Sequence, residues 1–169
     1  KTMQLLTQEK EMNDLSISVL NNVKNYLLLH FRYLDLALSK LRYRPDSVYF
    51  GTDGEFLYFE PAYLLKEYRK NQEQIQHLFA HSLFHCIFRH MYFDQKLIDA
   101  QKWNLACDIA VENSLYELKL NPDDSHKYWK ASWFKKLKQS VKMLTAENLY
   151  RFFLDHPLSE EELQDLNRV

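Results

Sequence analysis

Residues that break helices are rare in this chain. Only two glycines and four prolines occur among 169 residues, a composition that favours long helices over folds with many turns. Between residues 8 and 41, leucines and valines recur every three or four positions, as on the apolar face of a helix. We therefore expect one long helix, or two abutting helices, that Pro45 stops.

A small sheet is expected in the middle of the chain. Residues 47–50 and 55–59 are aromatic-rich runs around Asp53-Gly54, and Asp-Gly between such runs is typical of a hairpin. Helical patterns follow at residues 62–68, 72–89, 100–118 and 146–154, with Asn71 and Thr145 as N-caps. Residues 126–142 allow no assignment. The predicted fold class is α+β, mostly helical, with a small antiparallel sheet.

Composition restricts the cellular setting and the partners. With 46% hydrophobic residues, the chain can bury a sizeable core as one domain, predicted over residues 1–156. Residues 157–169 are predicted to be an acidic helix or linker, with Ser159 and Glu162 in a capping-box pattern. A net charge of -1 argues against general recruitment of nucleic acid. Two cysteines form no disulfide framework and no long apolar run occurs, so we expect a cytoplasmic protein without a membrane span.

The segment predicted to be helical at 72–89 contains three regularly spaced histidines. His77, His81 and His85 are spaced four residues apart, which places them on one helical face. Two neighbouring histidines of this series can share a metal ion. His77 and His85 are about 12 Å apart along the helix axis, so all three cannot share one. Zinc proteases of the HExxH type carry a glutamate directly after the first histidine. Here that residue is Ser82, between His81 and His85.

The spacing alone has two interpretations. Histidines four residues apart can bind a metal, or they can be ordinary helix residues satisfied by local hydrogen bonds. A metal needs a third ligand, and Asp108 in the next predicted helix is flanked by apolar residues, as an inward-facing carboxylate would be. A buried salt bridge is the competing interpretation for Asp108. Glu112, one turn further on, either orients a ligand histidine or lies on a solvated face.

Several motifs occur together in a recognisable order. They are Thr52-Asp53-Gly54, Pro61, the run from Leu78 to His85 with His90 beyond it, the run from Trp103 to Asn113, and the run from Leu144 to Tyr150. In this order they resemble the putative metallopeptidase domain that precedes von Willebrand factor A-like domains in bacterial proteins. The resemblance extends from about residue 48 to residue 153.

The resemblance implies a zincin-like fold in which a metal-site helix packs on the following helix. It implies that His81 and His85 bind zinc, with Asp108 as the third ligand and His90 as the alternative. Asn113 is matched to an asparagine of the family and would support the metal ligands without touching the metal, as Glu112 would. The resemblance also implies a MoxR-type AAA+ ATPase as partner and a C-terminal von Willebrand factor A-like domain.

Ser82 determines the expected activity, because a serine hydroxyl is not a general base near neutral pH. We expect a zincin-like metal-binding domain with weak or no proteolytic activity, which is a pseudoenzyme if the serine is natural. Two alternatives remain: a metal-free scaffold that binds proteins or peptides, or an active metallopeptidase in which another base, such as Glu112, replaces the glutamate.

The segment 127–142 is rich in lysines and aromatic residues. Nucleic-acid or membrane contact is one interpretation. An amphipathic element with solvated lysines is the other, and the net charge favours it. In the scaffold hypothesis this segment presents a protein interface through its aromatic side chains, Tyr128, Trp129, Trp133 and Phe134.

Overall fold

The computed structural model describes residues 2–94, 96–119 and 127–166. The chain forms two units, residues 1–89 and 90–169. The elements of the first unit are α1 (Thr2–His30), a 3-10 turn (Arg32–Leu34), α2 (Asp35–Lys40), β1 (Arg42–Pro45), β2 (Phe50–Thr52), β3 (Phe56–Phe59), α3 (Pro61–Lys70) and α4 (Gln72–Ile87). Those of the second unit are α5 (Ala100–Glu117), α6 (Lys127–Ser140), α7 (Ala146–Asp155) and α8 (Glu160–Leu166).

The predicted long helix is confirmed as α1 and α2, separated by the 3-10 turn. Leu20, Val23 and Leu27 of α1 are fully buried or nearly so, as the periodicity indicated. The prediction that Pro45 stops this helix is wrong. Helix α2 ends at Lys40, and Pro45 is the last residue of strand β1. Sequence patterns missed β1 because Arg-Tyr-Arg-Pro lacks the apolar run that marks a buried strand.

The sheet has three strands in the order β1-β3-β2. Strand β2 is antiparallel to β3, which confirms the hairpin, although β2 starts at Phe50 and the predicted strand 47–50 ends there. The Asp53 carboxylate accepts the N–H groups of Glu55 and Phe56, and Gly54 takes the positive φ of 97° that this turn needs. The prediction of a purely antiparallel sheet is corrected, because β1 pairs parallel to β3.

Helix α4 begins at the predicted cap. The Asn71 side chain accepts the N–H groups of Glu73 and Gln74, and the helix ends at Ile87, before Arg89 at φ 59°. One face of α4 is buried in the core and includes Ile75, Phe79 and Leu83. The histidine face is turned away from that stripe and is half-buried. The sequence has thereby placed the imidazoles beside the core of the first unit rather than inside it.

Within its described residues, the second unit has helices as its regular secondary structure. Helix α5 begins at the Asp99 cap and contacts α7. Helix α6 occupies most of the segment left unassigned, and the Thr145 cap of α7 is confirmed. The core of the unit consists largely of α5, α6 and α7 side chains: Trp103, Leu105, Ala106, Cys107, Ile109, Ala110, Phe134, Leu137, Val141, Leu144, Ala146, Leu149, Phe153 and Leu166.

The acidic end of the chain contains helix α8. Its predicted capping box is confirmed, because the Ser159 N–H donates to Glu162 Oε2 and the Glu162 N–H donates to Ser159 Oγ. Leu166 is buried, so this helix packs within the second unit. Residues 167–169 of the predicted terminal segment lie outside the described residues.

Among the helices of the described ranges, none is both long enough and apolar enough to cross a membrane.

Candidate metal site

The imidazoles of His81 and His85 face one another on α4. Their Nε2 atoms are 2.9 Å apart and their ring centroids 4.7 Å apart. The nitrogen separation is less than twice the usual zinc–nitrogen distance of about 2.0–2.1 Å, so both atoms can bond to one ion. The His77 ring centroid is 6.4 Å from that of His81. Spacing of four residues on one helix produces this arrangement without help from the rest of the fold.

Thr52 links the Asp-Gly hairpin to the histidine helix. Its Oγ1 donates to the Phe56 carbonyl at 2.8 Å and accepts the Gly54 N–H at 3.0 Å. The same oxygen lies 3.3 Å from the Sγ atom of Cys86, the residue that follows His85 in the helix. Burial raises the pKa of the Cys86 thiol, although the Thr52 hydrogen bond opposes this. Cys86 is therefore a protonated thiol at neutral pH and not a thiolate ligand. The Thr-Asp-Gly motif is visible in the sequence, but the contact with Cys86 depends on the fold and has no local pattern.

Ser82 lies on the buried side of α4. It is 6% exposed, and its neighbours Ala80 and Leu83 are fully buried. The predicted catalytic position therefore holds a small hydroxyl at the edge of the core. A side chain of this kind supplies neither a metal ligand of the usual type nor a carboxylate for proton transfer.

Two carboxylates lie one turn apart on α5. Asp108 is half-buried, while Glu112 is only 2% exposed. Residues four apart on a helix share a face, so α5 presents both carboxylates in one direction. The interpretation of Glu112 as part of a solvated face is wrong, since its Oε2 accepts a hydrogen bond of 2.7 Å from Lys130 Nζ of α6.

Cys107 lies directly before Asp108 and is buried in the core of the second unit. Burial raises the pKa of its thiol to about 12, and the negative charges of Asp108 and Glu147 act in the same direction. The thiol is therefore protonated at neutral pH, which leaves Asp108 as the ionisable donor at this point of α5.

The two remaining predicted site residues, His90 and Asn113, are buried in the second unit at 6% and 7% exposure. The His90 carbonyl accepts the Trp103 indole N–H at 3.0 Å, and the imidazole ring of His90 packs edge-on against the same indole. Asn113 Nδ2 donates to Glu117 Oε1 at 3.4 Å, and within the described ranges its Oδ1 is a buried acceptor with no hydrogen-bond partner. Their roles at a metal remain predictions.

Lys136 and Lys138 of α6 pair with glutamates of the second unit. Lys136 contacts Glu162 at 3.1 Å and Lys138 contacts Glu117 at 2.7 Å. Lys136 also lies 4.5 Å from the centre of the Trp133 ring. Phe134 is buried in the core and is therefore unavailable as an interface residue. The side chain of Tyr128 is not among those that the structure describes. This arrangement supports the interpretation of α6 as an amphipathic element.

A family model described as "putative metallopeptidase domain" covers residues 31–163. The chain belongs to this family, as the motif order predicted. No curated protein and no solved structure matches the chain significantly.

Proposed function

We propose that this protein is a metal-binding member of its family with weak or no proteolytic activity. His81, His85 and Asp108 hold one zinc ion in this proposal. The observation that carries it is the 2.9 Å separation of the His81 and His85 Nε2 atoms, which suits two ligands of one ion. Membership of a family described as a putative metallopeptidase domain supports a metal-binding role, and the spacing of four residues on one helix favours these two histidines.

The donor set supports zinc in particular. Two imidazoles and one carboxylate are a common protein ligand set of catalytic zinc, with a fourth position open to water or substrate. Zinc bound by such a set polarises a carbonyl group and makes water more acidic. The chain's own contribution is to present two imidazole nitrogens on α4 and the Asp108 carboxylate on α5.

The weak activity follows from Ser82. Loss of one acid–base group typically lowers the rate about 10²–10⁴-fold. Glu112 is a poor replacement, since its Oε2 already accepts a hydrogen bond from the Lys130 ammonium and the residue is only 2% exposed, away from solvent. The chain therefore retains ligands for a metal without an efficient proton acceptor.

Metal analysis tests this proposal. The purified protein is expected to contain or take up about one equivalent of zinc, and His85→Ala is expected to lose it. His156→Ala is the matched control, because His156 is an exposed histidine that stacks on Phe152 of its own helix. A protein that takes up no zinc would contradict the proposal, as would equal uptake by the His85→Ala variant.

A second candidate function is a metal-free scaffold for protein partners. The first turns of α1 favour it, because Met3, Leu5 and Leu6 are 80%, 64% and 61% exposed. A MoxR-type AAA+ ATPase, a von Willebrand factor A-like domain and a cytoplasmic location belong to this proposal and the first alike. Titration of a purified ATPase of that type against Leu5→Ser/Leu6→Ser and the unaltered chain, each with zinc and with a zinc chelator, separates the candidates, because only a scaffold is expected to bind equally well in the chelator. A scaffold binds without zinc and loses affinity in the variant.

A further inference from the structure

The second unit contains a small cavity where three of its helices meet. Its volume is about 230 Å³, and its lining comes from α5, α7, α8 and the segment that joins α7 to α8. The apolar part of the lining consists of Leu105, Phe153, Pro157, Leu158 and Leu163. Pro157 directly follows the C-cap of α7 and cannot continue that helix, so the chain turns here before α8 begins.

The size of the cavity indicates what it can hold. Pockets for whole cofactors and drug-sized ligands usually have volumes of about 300–1,000 Å³, so a cavity of about 230 Å³ suits one apolar group. Leu105 and Phe153 are 7% and 1% exposed, whereas Leu158 and Leu163 are half-buried. The lining is therefore apolar both in the interior and towards solvent, as an aliphatic side chain requires.

Two polar residues, Gln101 and Lys102, complete the lining from the first turn of α5. Gln101 is exposed, and its amide can both donate and accept hydrogen bonds, as the groups of a peptide backbone require of a partner. The Lys102 ammonium is paired with the Asp99 carboxylate, so it brings no net charge to the cavity. This polar edge suits a peptide segment better than a wholly apolar ligand.

Helix α8 adds negative charge beside the cavity. Glu160 precedes Leu163 by three residues, so the two side chains are neighbours on one helical face. Glu160 and Glu161 are both exposed, whereas the charge of Glu162 is balanced by Lys136. Carboxylates beside an apolar cavity complement a segment in which cationic side chains flank an aliphatic one.

We propose that this cavity binds an aliphatic side chain of a peptide segment in which basic residues flank that side chain. The aliphatic group enters between Leu158 and Leu163, and the flanking Lys or Arg side chains contact the carboxylates of Glu160 and Glu161. The binding surface belongs to the second unit alone. It does not depend on zinc, and it adds a second binding function to the one proposed above.

Fluorescence anisotropy with labelled five-residue peptides tests this proposal on the whole chain in the presence of a zinc chelator. The peptide Lys-Lys-Leu-Lys-Lys is expected to bind at one site per chain. Lys-Lys-Ala-Lys-Lys should bind about 10–100-fold more weakly, because the burial of a leucine side chain is lost. Glu-Glu-Leu-Glu-Glu should bind far more weakly than the basic leucine peptide. Equal affinity for the leucine and alanine peptides, or for the acidic and basic leucine peptides, would overturn the proposal.

Two variants separate the cavity from general electrostatic attraction. Gln101→Trp places a large ring at the exposed edge and should abolish the preference for leucine over alanine. Gln139→Trp is the matched control, because Gln139 is an exposed glutamine of α6 that does not line this cavity, and it should keep that preference.

The double variant Glu160→Gln/Glu161→Gln should bind the leucine peptide more weakly and with less dependence on salt. Circular dichroism establishes that each variant is folded. Unchanged binding in the folded Gln101→Trp chain, or in the folded double variant, would overturn the proposal. A failure of the unaltered protein to bind zinc would contradict the proposed metal site and leave this proposal standing.

Discussion

Helices α4 and α5 carry different kinds of side chain and hold them by different means. On α4, His81 and His85 are half-buried imidazoles brought together by spacing along one helix. On α5, Glu112 is a buried carboxylate held by a lysine 18 residues further along the chain. A change on α4 should therefore alter chemistry with a modest effect on folding, whereas a change at the α5 pair should alter folding itself.

The largest expected effect tests the chemistry of α4. Ser82→Glu restores the carboxylate that follows the first histidine in zinc proteases, and at saturating zinc it should raise peptide hydrolysis about 10²–10⁴-fold. Burial at this position also predicts some loss of stability. Ser82→Gln is the matched control, because it has the size of glutamate but no base. Equal hydrolysis by the unaltered protein and the Ser82→Glu variant would show that Ser82 is not the missing function.

The next effect tests the pair on α5. Lys130→Met leaves the Glu112 charge buried without its ammonium, and should lower the free energy of unfolding by about 3–5 kcal/mol in urea denaturation. Glu112→Leu combined with Lys130→Met should recover most of this loss, because both charges are then removed. If Lys130→Met alone is as stable as the unaltered protein, the pair is solvated, and α4 and α5 do not differ in how strongly their charged side chains affect folding.

The N-cap residues of α4 and α5 should contribute equally to the free energy of unfolding. The Asn71 side chain caps α4 and the Asp99 side chain caps α5. Changing either to Ala removes an acceptor for the first turn and should cost about 1 kcal/mol in thermal or urea unfolding. Thr145→Ala at the cap of α7 provides a reference value. A cost several times larger at Asp99 than at Asn71 would show that the two helices differ in more than their charged face.

The smallest expected effect on stability concerns Tyr43 of the first unit, and this effect should depend on pH. Its hydroxyl is buried, has no hydrogen-bond partner within the described residues, and burial raises its pKa to about 12. Tyr43→Phe should therefore be neutral or stabilising by up to about 1 kcal/mol. The phenol ionises more readily in the unfolded chain, so the unaltered protein should lose stability relative to Tyr43→Phe as pH rises from 10 through 12. A constant difference in urea unfolding across this range would contradict the burial of the phenol.

Sequence alone predicted most helices and the shared helical face of His81 and His85, because both depend on local periodicity. The α4 cap, the histidine spacing and the hairpin turn are set by residues within a few positions of one another. Strand β1 and Lys130 were missed for a common reason. Arg42–Pro45 becomes a strand only by pairing with β3, and Lys130 is one of many lysines until the fold brings it to Glu112. Contacts of this kind depend on tertiary structure and leave no local pattern.

The central claim is that His81 and His85 bind one zinc ion through their Nε2 atoms. Nitrogen-15 NMR of the histidine side chains during zinc titration tests it most directly, because it identifies both the residues and the nitrogens involved. We predict saturation at one equivalent, with zinc-dependent shifts of the Nε2 signals of His81 and His85 and none at the exposed rings of His30 and His156. Titration without saturation, or shifts confined to other histidines, would contradict the proposed site.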